Sequence, residues 1–170
     1  YIMKKHLLMF LCISAFVLNV TKTKAQATVQ IVHNCGDTLL AQVDVYVNGA
    51  LALNDFQYRT ATQFISLPSG VALNIGVAFS NSVSANDTVR NYQVTFTAGE
   101  RYVVFVNGVF HVAKYAPNPN NQGTGMKLEI VSGVRATALN TGEVDLLAFN
   151  GCTELQEIDF RVRPNILAGD

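Results

Sequence analysis

The sequence predicts an all-β protein, an antiparallel immunoglobulin-like β-sandwich of about seven strands. Three observations predict it. Short β-branched runs alternate apolar and polar residues with a period of two. Turn-forming residues separate those runs at intervals of roughly 8–12 residues. No window carries a convincing helical period, and Val134 to Thr141 allows one turn and nothing longer.

The elements follow in chain order. Thr28 to His33 alternates and reads as a first strand. Ala41 to Val47 places Val43, Val45 and Val47 on one face and Asp44 and Tyr46 on the other. Asn48-Gly49 tolerates the positive φ of a type I′ hairpin turn, which makes Leu51 to Phe56 the return strand. Thr62 to Leu67 runs into a Pro68-Ser69-Gly70 turn, and Val71 to Phe79 then sets Leu73, Ile75, Val77 and Phe79 on one face. Ser80 to Asp87 is a polar loop, and Tyr92 to Thr97 resumes the alternation. Ala98-Gly99-Glu100 turns the chain into Arg101 to Val106. Asn107-Gly108 reads as a second hairpin turn, with Val109 to Tyr115 extending that hairpin. Residues 117–125 are a loop by composition, and Met126 to Val131 is a last strand.

Composition narrows the function classes. Twelve Lys and Arg balance twelve Asp and Glu in 170 residues, so there is no basic footprint for nucleic acid. With 49% hydrophobic and 14% charged residues, the chain is not a disordered polar tail. Three histidines and no tryptophan leave little vocabulary for metal binding or catalysis, and no cofactor is expected.

Residues 1–27 read as a secretory signal peptide. Met3 reads as the start; Lys4 and Lys5 precede an apolar run from Leu7 to Leu18, too short for a membrane span of about 20 residues. Ala25-Gln26-Ala27 is an A-x-A pattern, so cleavage is expected after Ala25 or Ala27. An uncleaved anchor is the alternative; a lipoprotein is disfavoured because Phe10-Leu11 precede Cys12. Four lysines leave with the leader, so eight basic residues face twelve acidic ones and the net charge becomes −4. The expected location is secreted or cell-surface, with no membrane span and no nucleic-acid partner.

Two self-alignments compete. One matches Val43 to Gly49 with Val144 to Gly151. The other sets Ile31 to Asp37 on Leu147 to Glu154, with Cys35 on Cys152 and Val43-Asp44 on Ile158-Asp159. The second leaves a whole unit before the repeat begins. It predicts a sandwich over 28–135, a linker over 136–142, and the truncated start of a second sandwich over 143–170, within a longer multi-domain chain. Equivalent positions in successive units are a domain length apart, whereas a disulfide needs Cα atoms within about 7 Å. Cys35 and Cys152 are therefore expected to be free thiols, each buried near a strand end.

Val29 to Asn34, Asp37, and Val43 to Gly49 resemble the opening of domain-of-unknown-function family 4397. Asp55-Phe56, Tyr58 to Thr62, Leu67 to Gly70 and Gly99 to Val104 resemble the rest of it. The resemblance implies an exported bacterial β-sandwich, often in tandem on cell-surface proteins, with no established activity. Asn150 stands where a second histidine would match His33.

Chemistry-bearing residues are sparse. His33 lies near Asp37 and Asp44 in sequence, an arrangement that an acid–base or metal site could use, but His111 is far off and no zinc spacing exists. Asp37, Asp44 and Asp55 lack the D-x-D-x-D-G spacing of a calcium loop, and no G-x-S-x-G elbow appears. Asp55 and Glu100 have no support as a glycosidase pair. Tyr46, Tyr58, Tyr92 and Tyr102 are candidates for a sugar-binding platform, with strand packing the preferred reading. Asn86-Asp87-Thr88 is a formal sequon, and Asp37-Thr38-Leu39 and Asp87-Thr88-Val89 resemble short O-glycosylation signals. The expectation is a non-catalytic spacer, adhesion or assembly unit, with His33, Asp37, Asp44 and Tyr46 as the speculative ligand site and a surface glycan or protein as its partner. The alternatives are a carbohydrate-binding module using surface tyrosines and a hydrolase with a His33/Asp site.

Overall fold

Alternation over β-branched residues produces strands with one apolar face, and such strands are stable once two apolar faces meet. In a computed structural model, which describes residues 26–153, eight strands do so: β1 (Gln26–Cys35), β2 (Gln42–Val47), β3 (Ala50–Gln57), β4 (Ile65–Pro68), β5 (Ala72–Phe79), β6 (Thr88–Thr95), β7 (Arg101–Gly108) and β8 (Lys127–Ser132). They form two four-stranded sheets, ordered β4-β1-β7-β8 and β3-β2-β5-β6. The described residues hold no α-helix, only single 3₁₀ turns at Thr38–Leu40, Ala85–Asp87 and Val112–Lys114. The all-β sandwich expected from the sequence is what the chain forms.

The facing sides build one core. Val29 and Ile31 from β1, and Val104 and Val106 from β7, meet Val43 and Val45 from β2 and Leu73, Ile75 and Val77 from β5. Phe96 beyond β6 is among the largest fully buried side chains. Full burial of a Val, Leu or Phe side chain contributes roughly 1.5–3 kcal/mol, so these residues supply most of the drive to fold.

Three features depart from the expected pattern. First, β1 and β7 pair in parallel, in register from Thr28–Arg101 to Cys35–Gly108, while the other ladders are antiparallel. Alternation reports which face is buried, not which way the neighbour runs. Second, Asn107-Gly108 is no hairpin turn. Asn107 remains in β7, between Asn34 of β1 and Lys127 of β8. Asn48-Gly49 does turn, with φ of 50° and 84°, but a type I′ turn needs both residues left-handed, and only Gly108 of the later pair is, at 92°. The chain beyond it forms a bridge from Val109 to Gly125 and a 3₁₀ turn instead of a return strand. Third, β4 extends through Pro68, which an edge strand accepts because no neighbour needs its N–H.

β7 is buried on both faces from Tyr102 to Gly108. Its inward side chains enter the core. Outward, Phe105 stacks on Phe149, with ring centroids 4.0 Å apart and planes 9° from parallel. Residues 143–153 thus run over the outer face of the β4-β1-β7-β8 sheet, without regular secondary structure. Arg135 fastens the same segment through a bidentate pair with Asp145, at 2.6 and 2.8 Å. Most of the expected leader, through Ala25, and residues 154–170 of the expected second unit lie outside the described residues.

Candidate functional site

His33 points inward from β1 and is fully buried. Its Nε2–H donates to the Leu40 carbonyl at 2.7 Å, and its Nδ1 accepts the Cys35 amide hydrogen at 3.3 Å. A carbonyl only accepts, so the imidazole is the neutral Nε2–H tautomer. Phe56 and Tyr58 pack on the ring with centroids 5.8 and 5.9 Å away. Burial lowers its pKa, and the Leu40 hydrogen bond opposes this only in part. Both ring nitrogens are spent on backbone, and the ring pins the turn that leads from β1 to β2.

Asp37 caps that turn. Its Oδ1 accepts from the Leu39 amide at 3.1 Å, while Oδ2 accepts from the Phe110 and His111 amides at 3.1 and 2.8 Å. Burial pushes the carboxyl up, yet hydrogen bonds from His111, Leu39 and Phe110 and the nearby His111 ring together outweigh it and hold the pKa below the ordinary value. One carboxylate thereby joins the β1–β2 connection to the chain just beyond β7.

Asp44 and Tyr46 form a separate network on the outer side of the other sheet. Two residues of β3, Asn54 and Asp55, oppose Asp44 at a register shift. That is a β-bulge, with Asp55 at φ 52°. The Asp55 amide, displaced from the ladder, donates to Asp44 Oδ1 at 3.0 Å. Asp44 Oδ2 accepts from the Ser82 hydroxyl at 2.5 Å, so the Tyr46 hydroxyl donates to Ser82 Oγ at 2.8 Å. The loop after β5 is thus tied down over β2. The pattern expected Asp44 and Tyr46 on the polar face of a half-buried strand, but they are 1% and 5% exposed.

The structure therefore does not gather the four candidates. His33 and Asp37 brace one connection from two sides, each bonded to backbone, and Asp44 with Tyr46 braces another. Among the described residues, no three His, Cys, Asp or Glu side chains come together as a metal site would require. The tyrosines do not form an exposed platform. Tyr46 and Tyr102 are buried, Tyr92 donates to the Met126 carbonyl at 2.9 Å, and Tyr58 lies between His33 and the Arg59 guanidinium. Cys35 is buried, and burial pushes its thiol pKa up. Cys152, expected to be buried, is exposed, because the segment carrying it lies on the surface of the sandwich rather than in a strand.

Several contributors had no sequence signal. Ser82 is one serine in a polar loop. Asn118 is buried in a loop, where its Oδ1 accepts from the Asn120 and Gln122 amides and its Nδ2 donates to the Thr153 carbonyl. Asn34 donates to Asn107 Oδ1 at 3.0 Å across the parallel ladder, a pairing invisible until that ladder is known. Asn86 and Asp87 of the sequon sit in the 3₁₀ turn at 85–87, which Ser84 and Asp87 cap, and Thr88 begins β6.

A two-sheet β-sandwich whose buried polar groups brace its own connections defines the class. The chain matches the family described as Domain of unknown function (DUF4397) over residues 27–160, and it belongs to that family. No curated protein matches the chain.

Proposed function

We propose that the chain is a non-catalytic module of a secreted or cell-surface protein, serving as a spacer, adhesion or assembly unit. One observation carries this reading. Every polar side-chain atom of His33, Asp37, Asp44 and Tyr46 is engaged within the fold, by backbone or by Ser82. Acid–base or nucleophilic work needs a group that can exchange a proton or form a bond with a substrate, and these groups are committed elsewhere.

Export rests on the leader pattern. β1 begins at Gln26, which pairs with Pro68, and Ala27 is fully buried. A cut after Ala25 leaves the strand whole. Among the described residues, no helix is long and apolar enough to cross a membrane.

The test offers the purified chain chromogenic esters, glycosides, phosphomonoesters and a casein peptide pool. No turnover above buffer is expected. Turnover that follows the chain through purification and disappears in a folded Asp44→Asn variant contradicts the reading.

A further inference from the structure

Along β7, Val103, Phe105 and Asn107 alternate with the core-facing Tyr102, Val104 and Val106, and so stand on the outer side of the sheet. All three are nevertheless buried. Their cover is the chain's own segment 145–153. Phe149 stacks on Phe105. Two residues on, Gly151 sits against the Asn34–Asn107 side-chain pair that crosses the parallel ladder. A Cβ at Gly151 would overlap the Asn34 amide nitrogen and lie 2.9 Å from Asn107 Oδ1. Gly151 is not left-handed, so close approach, and not backbone conformation, calls for glycine there. Asn107 is too deeply buried to swing aside without breaking its bond to Asn34. At the far end, Asn118 Nδ2 donates to the Thr153 carbonyl at 2.6 Å, and Asn118 is itself fixed by the Asn120 and Gln122 amides. At the near end, the Arg135–Asp145 pair is partly exposed, a setting in which an ion pair contributes little.

We propose that residues 145–153 are a strap that closes the outer face of the β4-β1-β7-β8 sheet and opens without unfolding the sandwich, with Phe149 as its anchor and Gly151 as its seat. The strap has no regular secondary structure and is held at these points through side chains. β7 beneath it is laddered to β1 on one side and β8 on the other. Segments held by few contacts open at a lower free energy than laddered core strands. Closed, the module hides Val103 and Phe105; open, it turns an apolar face to water. The inference goes beyond the module reading, which does not say whether this face is closed.

The experiment follows the full chain by chymotrypsin cleavage after Leu146 and Leu147, by binding of the dye anilinonaphthalene sulfonate, and by hydrogen exchange of the β2 and β7 amides. Leu146 is exposed, yet a protease needs the segment around it released, so cleavage tracks the open population. Wild type is cut slowly and binds little dye. Phe149→Ala and Gly151→Val each speed cleavage about tenfold or more and raise dye binding, while the β2 and β7 amides keep their protection. Gly123→Val, where a Cβ meets nothing within 4 Å, behaves as wild type, and Arg135→Gln speeds cleavage less than about threefold. Cleavage and dye binding unchanged in both Phe149→Ala and Gly151→Val overturn the proposal. So does wild type already cut as fast as those variants. Loss of β2 and β7 protection in both variants, or failure of both to fold, also overturns it, since the segment then belongs to the cooperative core. Enzymatic turnover would refute the module reading and leave the strap in place.

Discussion

Asp44 accepts the amide hydrogen of Asp55 at 3.0 Å, across a bulge that its own strand partner creates. A buried carboxylate here repairs a backbone ladder. Its second oxygen holds Ser82, and through Ser82 the Tyr46 hydroxyl, so β3, β2 and the loop after β5 share one polar network.

That network predicts coupled losses. Ser82→Ala and Tyr46→Phe each lower stability by about 0.5–1.5 kcal/mol. Because both act through one hydroxyl, the double variant loses less than their sum, by at least about 0.5 kcal/mol. Urea unfolding of the four proteins of the cycle measures this, and strict additivity contradicts the shared network.

Asp37 predicts an acid limb of stability. Its folded pKa lies below the ordinary carboxylate value, so the unfolded chain binds the proton more readily. The contribution is fully present above the ordinary value and is lost as pH falls through the folded one. Asp37→Asn weakens the acceptor for three amides and lowers stability at pH 7 by about 1–3 kcal/mol. The gap between wild type and variant narrows below pH 4, measured by urea midpoints across pH, and a constant gap contradicts the assignment.

Two glycines of the same dipeptide type predict unequal losses. A Cβ on Gly108 would lie 2.5 Å from the Gly125 carbonyl oxygen, while among the described residues, chain neighbours aside, nothing comes within 4 Å of one on Gly49. Both have positive φ. Gly49→Ala therefore costs about 1 kcal/mol from backbone strain alone. Gly108→Ala costs more than twice as much, because backbone must also move. Thermal melts rank the pair, and equal losses contradict the close approach at Gly108.

The buried position of Ala27 predicts the processed terminus. Expression in a secreting bacterial host, followed by mass spectrometry of the intact exported protein, yields a mature chain that begins at Gln26. A chain beginning at Thr28 contradicts the role of Gln26 and Ala27 in β1.

Faces and turns were legible in the sequence because they depend on local alternation. The Val43–Val45 and Leu73–Ile75–Val77 faces and the Asn48-Gly49 turn follow from neighbours in the chain. The parallel partnership of β1 with β7 does not, since Ile31 and Val104 meet across 73 positions of sequence. The polar roles failed for the same reason. His33 and Asp37 invite a reading as a site because they are close in sequence, yet their partners are the Leu40 carbonyl and the Phe110 and His111 amides. Backbone groups carry no sequence signature. Alternation puts Asp44 on the polar face of its strand, and the bulge that gives it a buried backbone partner cannot be seen in Asn54-Asp55.

The buried polar residues serve the fold, and the protonation state of His33 reports on that role at a single side chain. Burial holds its pKa below the ordinary imidazole value of about 6.5, so the neutral ring's contribution is fully present above that value and is lost as pH falls through the folded pKa. Nitrogen-15 NMR of the histidine-labelled chain, recorded from pH 7.5 downward, reports tautomer and titration together. A neutral Nε2–H ring is expected for His33 at pH 7.5, with its protonation midpoint below that of a free imidazole. A His33 that titrates at or above the ordinary value, or that carries its proton on Nδ1 at pH 7.5, contradicts it.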